Sequence, residues 1–253
     1  TISLMEPIRI NKYLSAKGAC SRRQADAMLD EGRILVDGNQ ALPGMKVSDE
    51  NEILIDGKPI KQADEPVLLA VNKPKGIVCT TAEFKNEKNI VDYLQYPVRI
   101  YPIGRLDKDS EGLILMTNQG DLVNKILRDS NNHEKEYIVR VNKPINAAFL
   151  RAMREGVPIL DTVTKPCTVE SINSKEFRII LTQGLNRQIR RMCEYLGMRV
   201  VSLRRVRVMN IKLGSLKVGE YREIKGEELK QLQSLLKPSS SLSFKDRSKN
   251  GTN

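Results

Sequence analysis

A chain of 253 residues, 40% apolar and 29% charged, has the make-up of an ordinary globular protein of one large or two smaller domains. Lys and Arg outnumber Asp and Glu by 42 to 31, a net charge of +11 that points to a polyanionic partner such as nucleic acid or an acidic membrane surface. There is no apolar run of about 18 residues and no N-terminal leader pattern, so a cytoplasmic location without membrane attachment is expected; a single histidine and four scattered cysteines speak against a zinc site, a disulfide framework or a Ser-His-Asp triad.

Residues 1 to 61 read as a small unit of two short helices followed by strands. Ile10, Tyr13 and Leu14 recur at helical spacing and Gly18 stops that turn. Ser21, with Gln24 three residues later, forms a capping box for a second helix with core positions Ala25, Met28 and Leu29, ended by Gly32. Ile34-Leu35-Val36 and Ile53-Leu54-Ile55 read as strands, each followed by an Asp-Gly turn. The unit is balanced in charge, yet Arg9, Lys12, Lys17, Arg22 and Arg23 cluster with no acid among them. Such a face can neutralise phosphates, and Arg22 and Arg23 sit where a helix N-terminus adds free backbone N–H groups. By spacing alone, a merely solvated charged face explains the cluster equally well.

Residues 62 to 66 are expected to be a polar linker, followed by a second unit from 67 to 237. That unit opens with a buried strand at 67–71 and a turn at Asn72-Lys73-Pro74-Lys75-Gly76. Further strands are expected at 113–116, 136–141, 177–182, 199–208 and 221–224, and helices at about 121–128, 145–155, 186–196 and 227–236. Strands outnumber helices without a regular βαβ alternation, which predicts an α+β domain with a mainly antiparallel mixed sheet. The Ser/Lys-rich tail from 238 to 253 is expected to be disordered.

The most informative stretch is Tyr101-Pro102-Ile103-Gly104-Arg105-Leu106-Asp107-Lys108-Asp109-Ser110-Glu111-Gly112-Leu113. It puts Asp107 in a loop ahead of an apolar strand, with Arg105 near enough in sequence to hold the carboxylate ionised. An ionised carboxylate can serve as nucleophile or base, although most acidic turns are only solvated. The start of a calcium loop is also visible at Asp107–Gly112, but its twelfth position is Asn118 where a bidentate Glu is needed.

Tyr137 lies in the strand Lys135-Glu136-Tyr137-Ile138-Val139-Arg140, where alternation puts it on the face of Val139 and where a tyrosine is ordinarily core. In Asn186-Arg187-Gln188-Ile189-Arg190-Arg191 the three arginines fall at spacings that predict one shared helical face. Seven arginines and one acid, Glu194, lie between Arg187 and Arg207, so phosphate binding explains them better than internal ion pairing.

Taken together, these segments resemble the RsuA-type ribosomal RNA pseudouridine synthases. Gly-Arg-Leu-Asp at 104–107 with Ser-Glu-Gly-Leu-Ile-Leu-Met-Thr-Asn-Gln-Gly at 110–120 looks like that family's catalytic motif, which makes Asp107 the catalytic carboxylate. The resemblance further implies that Tyr137 supports the target base, that Arg190 pairs with Asp107, and that Arg105 fills the space left by a flipped nucleotide. It leaves Arg187 and Arg191 to meet RNA. Arg-Ile-Asn-Lys-Tyr-Leu at 9–14, Ser-Arg-Arg-Gln-Ala at 21–25 and Gly-Arg-Ile-Leu-Val-Asp-Gly at 32–38 look like the S4-type RNA-binding module, with Arg9, Lys12, Arg22 and Arg23 as contacts. Lys73, Lys75 and Lys108 are added as candidate backbone contacts. Within the family, 156–160, 162–165 and 133–137 are most similar to the RluF branch, which acts on 23S ribosomal RNA and accepts some transfer RNA. The reaction is an isomerisation, so neither cofactor nor metal is expected, and the enzyme is expected to act as a monomer.

Asp107 could attack the sugar, attack C6 of the base, or act as a base toward a glycal; the sequence leaves all three open. Two other readings share the residues: a non-catalytic RNA-binding or ribosome-assembly protein, and a metal-dependent nuclease using Asp107, Asp109 and Glu111. The first leaves unexplained Asp107, Tyr137 and Arg190 occurring together in their motifs, and the second would lose its activity in EDTA while a synthase would keep it.

Overall fold

The computed structural model describes residues 4–60, 65–81, 86–128 and 132–236. Apart from Glu65 and Pro66, the expected linker lies outside the described residues, as does the whole of the expected tail. The chain divides into two compact units: one takes in the described residues up to Val67 with Tyr96–Ile100 and Thr117–Val123, the other Leu68–Gln95, Tyr101–Met116 and the described residues from Asn124 onward.

In the first unit β1 (Ile8–Arg9) leads into α1 (Ile10–Ala16) and α2 (Arg22–Asp30). These are followed by β2 (Ile34–Val36), β3 (Asn39–Gln40), β4 (Lys46–Val47), β5 (Ile53–Ile55) and β6 (Lys58–Pro59). The order β3-β2-β5-β6 makes an antiparallel sheet, and β1 pairs with β4. Ser21 and Gln24 form the reciprocal capping box that their spacing predicts, with bonds of 3.1 and 3.0 Å. At both Asp-Gly turns the aspartate and the glycine are left-handed, Asp37 at φ 49° and Asp56 at φ 52°, which suits a tight hairpin between twisted strands. Ile10, Leu14, Ala25, Leu29, Ile34 and Ile53 close the core beneath the two helices.

In the second unit, with the end of β9 and the first half of α4 counted in the first, the order is β7 (Leu68–Lys73), α3 (Ile90–Leu94), β8 (Tyr101–Ile103), β9 (Glu111–Thr117), α4 (Gly120–Leu127) and β10 (Lys135–Val141). Then come α5 (Ala147–Glu155), β11 (Pro158–Ile159), β12 (Thr162–Val163), β13 (Thr168–Ser171), β14 (Glu176–Leu181) and α6 (Gln188–Tyr195). The unit ends with β15 (Val200–Val208), β16 (Ile211–Lys212), β17 (Tyr221–Glu223) and α7 (Gly226–Leu236). One nine-stranded sheet runs β13-β14-β10-β15-β9-β7-β17, with β16 on β15 and β8 on β9. The pairs β13–β14, β14–β10, β10–β15, β15–β16 and β7–β17 are antiparallel, while β15 runs parallel to β9. The α+β, antiparallel-dominated class therefore stands. Val139, Phe177, Ile179 and Leu181 from the sheet are buried against Phe149 and Met153 of α5 and Met192 and Cys193 of α6. Phe149 meets Phe177 edge to face at 5.6 Å between centroids.

Two expectations change. The strand expected to end at Val71 continues as β7 through Lys73, so Asn72 and Lys73 belong to the sheet and not to a turn. The helix expected from residue 186 begins at Gln188; Arg187 is its N-cap, held in the left-handed region at φ 48°.

One glycine fixes how the motif loop meets the sheet. Gly112 pairs with Arg205 across the parallel β9–β15 contact and has φ 110°. A Cβ there would lie 2.3 Å from the Arg205 carbonyl oxygen and 2.7 Å from its nitrogen. Only a residue without a side chain lets the two backbones approach this closely.

Candidate active site

The loop between β8 and β9 carries Asp107 to the wall of a cavity of about 580 Å³ in the second unit, within the range of small-molecule sites. Apolar walls come from Ile103, Leu115, Ile126, Leu181, Leu203 and Val208. The charged lining is one-sided: among the described residues Asp107 faces six cationic side chains, those of Arg105, Lys108, Lys135, Arg187, Arg190 and Arg205. Tyr137 of β10 also lines the cavity and is half-buried against the core.

Asp107 and Asp109 share two arginines of the α6 segment. Asp107 Oδ2 lies 3.4 Å from Arg187 Nη1 and 3.8 Å from Arg190 Nε. Asp109 accepts from Arg187 at 3.3 and 3.4 Å and lies 3.6 Å from Arg190 Nη1. Arg190 Nη2 donates to the Asp109 carbonyl at 3.2 Å and to Ser110 Oγ at 2.9 Å, which pins the guanidinium to the backbone of the motif loop. Burial pushes the Asp109 carboxyl up, but its hydrogen bond to Arg187 and the charges of both arginines outweigh that and hold it below the ordinary carboxylate range. The Asp107 carboxylate, by contrast, accepts no hydrogen bond from a described residue, so its lone pairs face the cavity. Arg190 Nε is buried without a hydrogen-bond partner and points at Asp107 from just beyond bonding reach.

The expected pairing of Arg190 with Asp107 is present, though neither side chain is fully buried: Arg190 is 14% exposed and Asp107 34%. The cation nearest to Asp107 is Arg187, which the sequence reading assigned to RNA. Arg105 lines the cavity, is exposed, and makes no hydrogen bond or ion pair among the described residues; the charges close to Asp107 come from α6, not from Arg105. Arg191 does not share the face of Arg187 and Arg190. It folds back on Asn186, donating to its carbonyl and its side chain at 3.0 and 2.9 Å, because the left-handed Arg187 turns the chain just before the helix starts.

Lys73 requires a larger correction. Its side chain is fully buried, and Nζ donates to the carbonyls of Pro74 at 2.9 Å and Ile77 at 2.8 Å, with Lys108 at 3.5 Å. Burial lowers its pKa below the ordinary lysine value against the pull of nearby carboxylates. A caged ammonium cannot reach a phosphate; it fastens the turn after β7 to the Asp107 loop, helped by the Gly76 N–H donating to the Lys108 carbonyl at 2.6 Å. Lys75 is exposed, and Lys108 is exposed with Glu87 at 3.1 Å. Of the carboxylates invoked for a nuclease, Asp107 and Asp109 are tied to arginines, and the described residues hold no group of three His, Cys, Asp or Glu placed to bind a metal.

In the first unit Arg9 is the N-cap of α1 and Lys12 lies on that helix, while Arg22 and Arg23 open α2. None of their side chains makes an ion pair among the described residues, which leaves them open to phosphates. Lys17 departs from the basic face of the sequence reading: its Nζ is 2.6 Å from Asp49 and its side chain only 11% exposed.

Sequence reasoning did not single out Arg205 or Lys135, both of which line the cavity. A usable signal existed for Arg205, since strand alternation puts it on the face of the buried Leu203.

Comparison with known proteins agrees with the motifs. A family model described as RNA pseudouridylate synthase matches residues 67–195, and an S4 domain model matches residues 8–53. The chain is 52% identical over 235 residues to the dual-specificity RNA pseudouridine synthase RluF of Salmonella typhi, covering 92% of this chain and 81% of that one. It is 32% identical over 235 residues to the ribosomal large subunit pseudouridine synthase B of Bacillus subtilis, covering 90% and 96%. A crystal structure of a pseudouridylate synthase superposes with a TM-score of 0.67 at 27% identity, covering 89% of this chain and 99% of that one.

Proposed function

The chain belongs to the RNA pseudouridylate synthase family, with an S4 domain ahead of the synthase domain, and we propose that it isomerises a specific uridine of 23S ribosomal RNA, with a transfer RNA as second substrate, using Asp107 as its catalytic carboxylate. The observation that carries the assignment of Asp107 is charge: one carboxylate, accepting no hydrogen bond from a described residue, faces a cavity whose other charged lining residues are all cations. The likeness to a dual-specificity synthase supports two RNA substrates.

The basic starts of α1 and α2 hold structured RNA through its phosphates. The target nucleotide leaves the stack and enters the cavity, where the ring of Tyr137 offers a face for the base. Arg187 and Arg190 flank the Asp107 carboxylate while it acts on the nucleotide. The N-glycosidic bond breaks, the base turns, and C5 joins C1′, so the uridine is rearranged with no group lost. No helix among the described residues is long and apolar enough to cross a membrane.

The test is reaction of wild-type and Asp107→Asn protein with unmodified 23S RNA and transfer RNA in EDTA, scored for pseudouridine by carbodiimide treatment and primer extension. A new stop at one position for wild type alone is expected. A stop produced equally by Asp107→Asn would remove Asp107 from the chemistry.

A further inference from the structure

Behind Tyr137, on the same face of the sheet, lies a cation that the reading above does not use. Arg205 is 5% exposed and lines the cavity. Its Nε donates to the Leu113 carbonyl at 2.7 Å, and it makes no other hydrogen bond and no ion pair among the described residues. A guanidinium this deeply buried normally has a carboxylate partner, because an uncompensated charge in an apolar setting is costly. Lys73, the other buried cation here, is caged by carbonyls; the terminal amino groups of Arg205 are not.

A shift in the strand register places that group. Glu136 pairs with Arg207, but Tyr137 pairs with Arg205, so a bulge at Val206 skips one residue of β15. Without it Tyr137 would face Val206; with it the ring and the guanidinium are cross-strand neighbours with side chains on one face. The backbone of Arg205 is seated against Gly112, in the strand that follows the Asp107 loop.

We propose that Arg205 is a further catalytic residue, whose terminal amino groups donate to a carbonyl oxygen of the uracil ring and stabilise the negative charge that the ring carries while detached from its sugar. The proposal rests on the synthase reading. In that reaction the N1–C1′ bond breaks with its electron pair passing to the base, and the charge spreads over N1, O2 and O4. Once C5 has bonded to C1′ it gives up its proton and N1 takes one, so the atoms and electrons balance. A preorganised donor in a cavity walled by Leu115, Leu203 and Val208 acts at low dielectric, where such donors contribute most. The role suits each of the three modes open to Asp107, since all place charge on the base.

Arg205→Gln keeps a donor for the Leu113 carbonyl and removes the charge. Single-turnover rates, KM and RNA affinity are measured on an RNA that wild type modifies. The expected result is a fall of about 100-fold in kcat, with KM and Kd within about threefold of wild type, partly restored by Arg205→Lys. An unchanged kcat, or a raised Kd with kcat unaltered, overturns the proposal while leaving the synthase reading intact. Where Arg205→Gln does not melt cooperatively, Arg205→Lys decides. A loss under about tenfold supports the charge role, and a loss above about 100-fold at an unchanged melting temperature overturns it. Failure of wild type to make pseudouridine in any RNA defeats the synthase reading and this proposal with it.

Discussion

Replacing Gly112 with Ala tests the contact that seats the motif loop against the sheet. Two costs apply. The backbone has φ 110°, which costs a non-glycine residue about 1–2 kcal/mol. The new Cβ would lie 2.3 Å from the Arg205 carbonyl oxygen and 2.7 Å from its nitrogen, and both obstacles are backbone in a paired strand that cannot rotate aside. Forcing β9 and β15 apart adds roughly 1–3 kcal/mol on the scale of overpacked cores. The sum is about 2–5 kcal/mol, or a fall of roughly 10 °C in Tm for a domain of this size. Gly197→Ala is the internal control, since Gly197 has φ 79° but no heavy atom within 4 Å of an added Cβ; only the first cost applies, about 1–2 kcal/mol and a few degrees. Calorimetry of the two variants beside wild type reads the difference. Equal shifts for Gly112→Ala and Gly197→Ala would refute the close-approach argument.

Lys73→Met replaces a caged ammonium with an apolar chain of similar length and strands the Pro74 and Ile77 carbonyls. Stability should fall by about 2–4 kcal/mol, read as a lower denaturation midpoint in urea, whereas a phosphate-contacting lysine would instead give unchanged stability and a shallower dependence of RNA affinity on salt. Tyr13 is pushed up to about 12 by burial and by its hydrogen bond to Asp49, so its folded value lies above its unfolded one. The stability it contributes is complete below pH 10.0 and is lost as pH rises toward 12. In Tyr13→Phe the alkaline decline of stability across that window should be shallower and the highest step in the absorbance titration of tyrosinate should disappear; an unchanged titration would contradict the assignment.

Much of the fold was legible because it rests on local chemistry. The capping box at Ser21 and Gln24, the two Asp-Gly turns and the periodicity of the long strands and helices each announce themselves within a few residues. The short elements did not: α3 is a five-residue helix whose signal is only Asn89 capping the N–H of Asp92 at 2.8 Å, and β1, β4, β11 and β12 are two-residue pairings set by partners distant in sequence or by tight turns. In the site, the approach of Asp107 and Arg190 followed from motif resemblance, while the positions of Arg187 and Arg191 did not follow from helical spacing. One left-handed residue at the helix start separates them, and nothing in the run Asn186-Arg187-Gln188 dictates it. Lys73 misled for a different reason, since its carbonyl cage includes Lys108, 35 residues on.

The net charge of +11 is therefore a poor measure of what RNA can use, because the cations divide by environment. Lys17 and Lys73 are taken up by the interior, and Arg33, Arg140 and Arg222 are held by carboxylates. Arg9, Arg22, Arg23 and Lys75 are exposed with no acid partner among the described residues. Arg187 is intermediate: it is 40% exposed and its partner Asp109 45% exposed, and ion pairs at that exposure contribute about 1 kcal/mol or less. An RNA phosphate can take Asp109's place at little cost, whereas Arg190, pinned by the Asp109 carbonyl and Ser110, stays with the motif loop. The two arginines that flank Asp107 are thus unequal, one held only by an exposed ion pair with Asp109 and one fixed to the motif loop by hydrogen bonds.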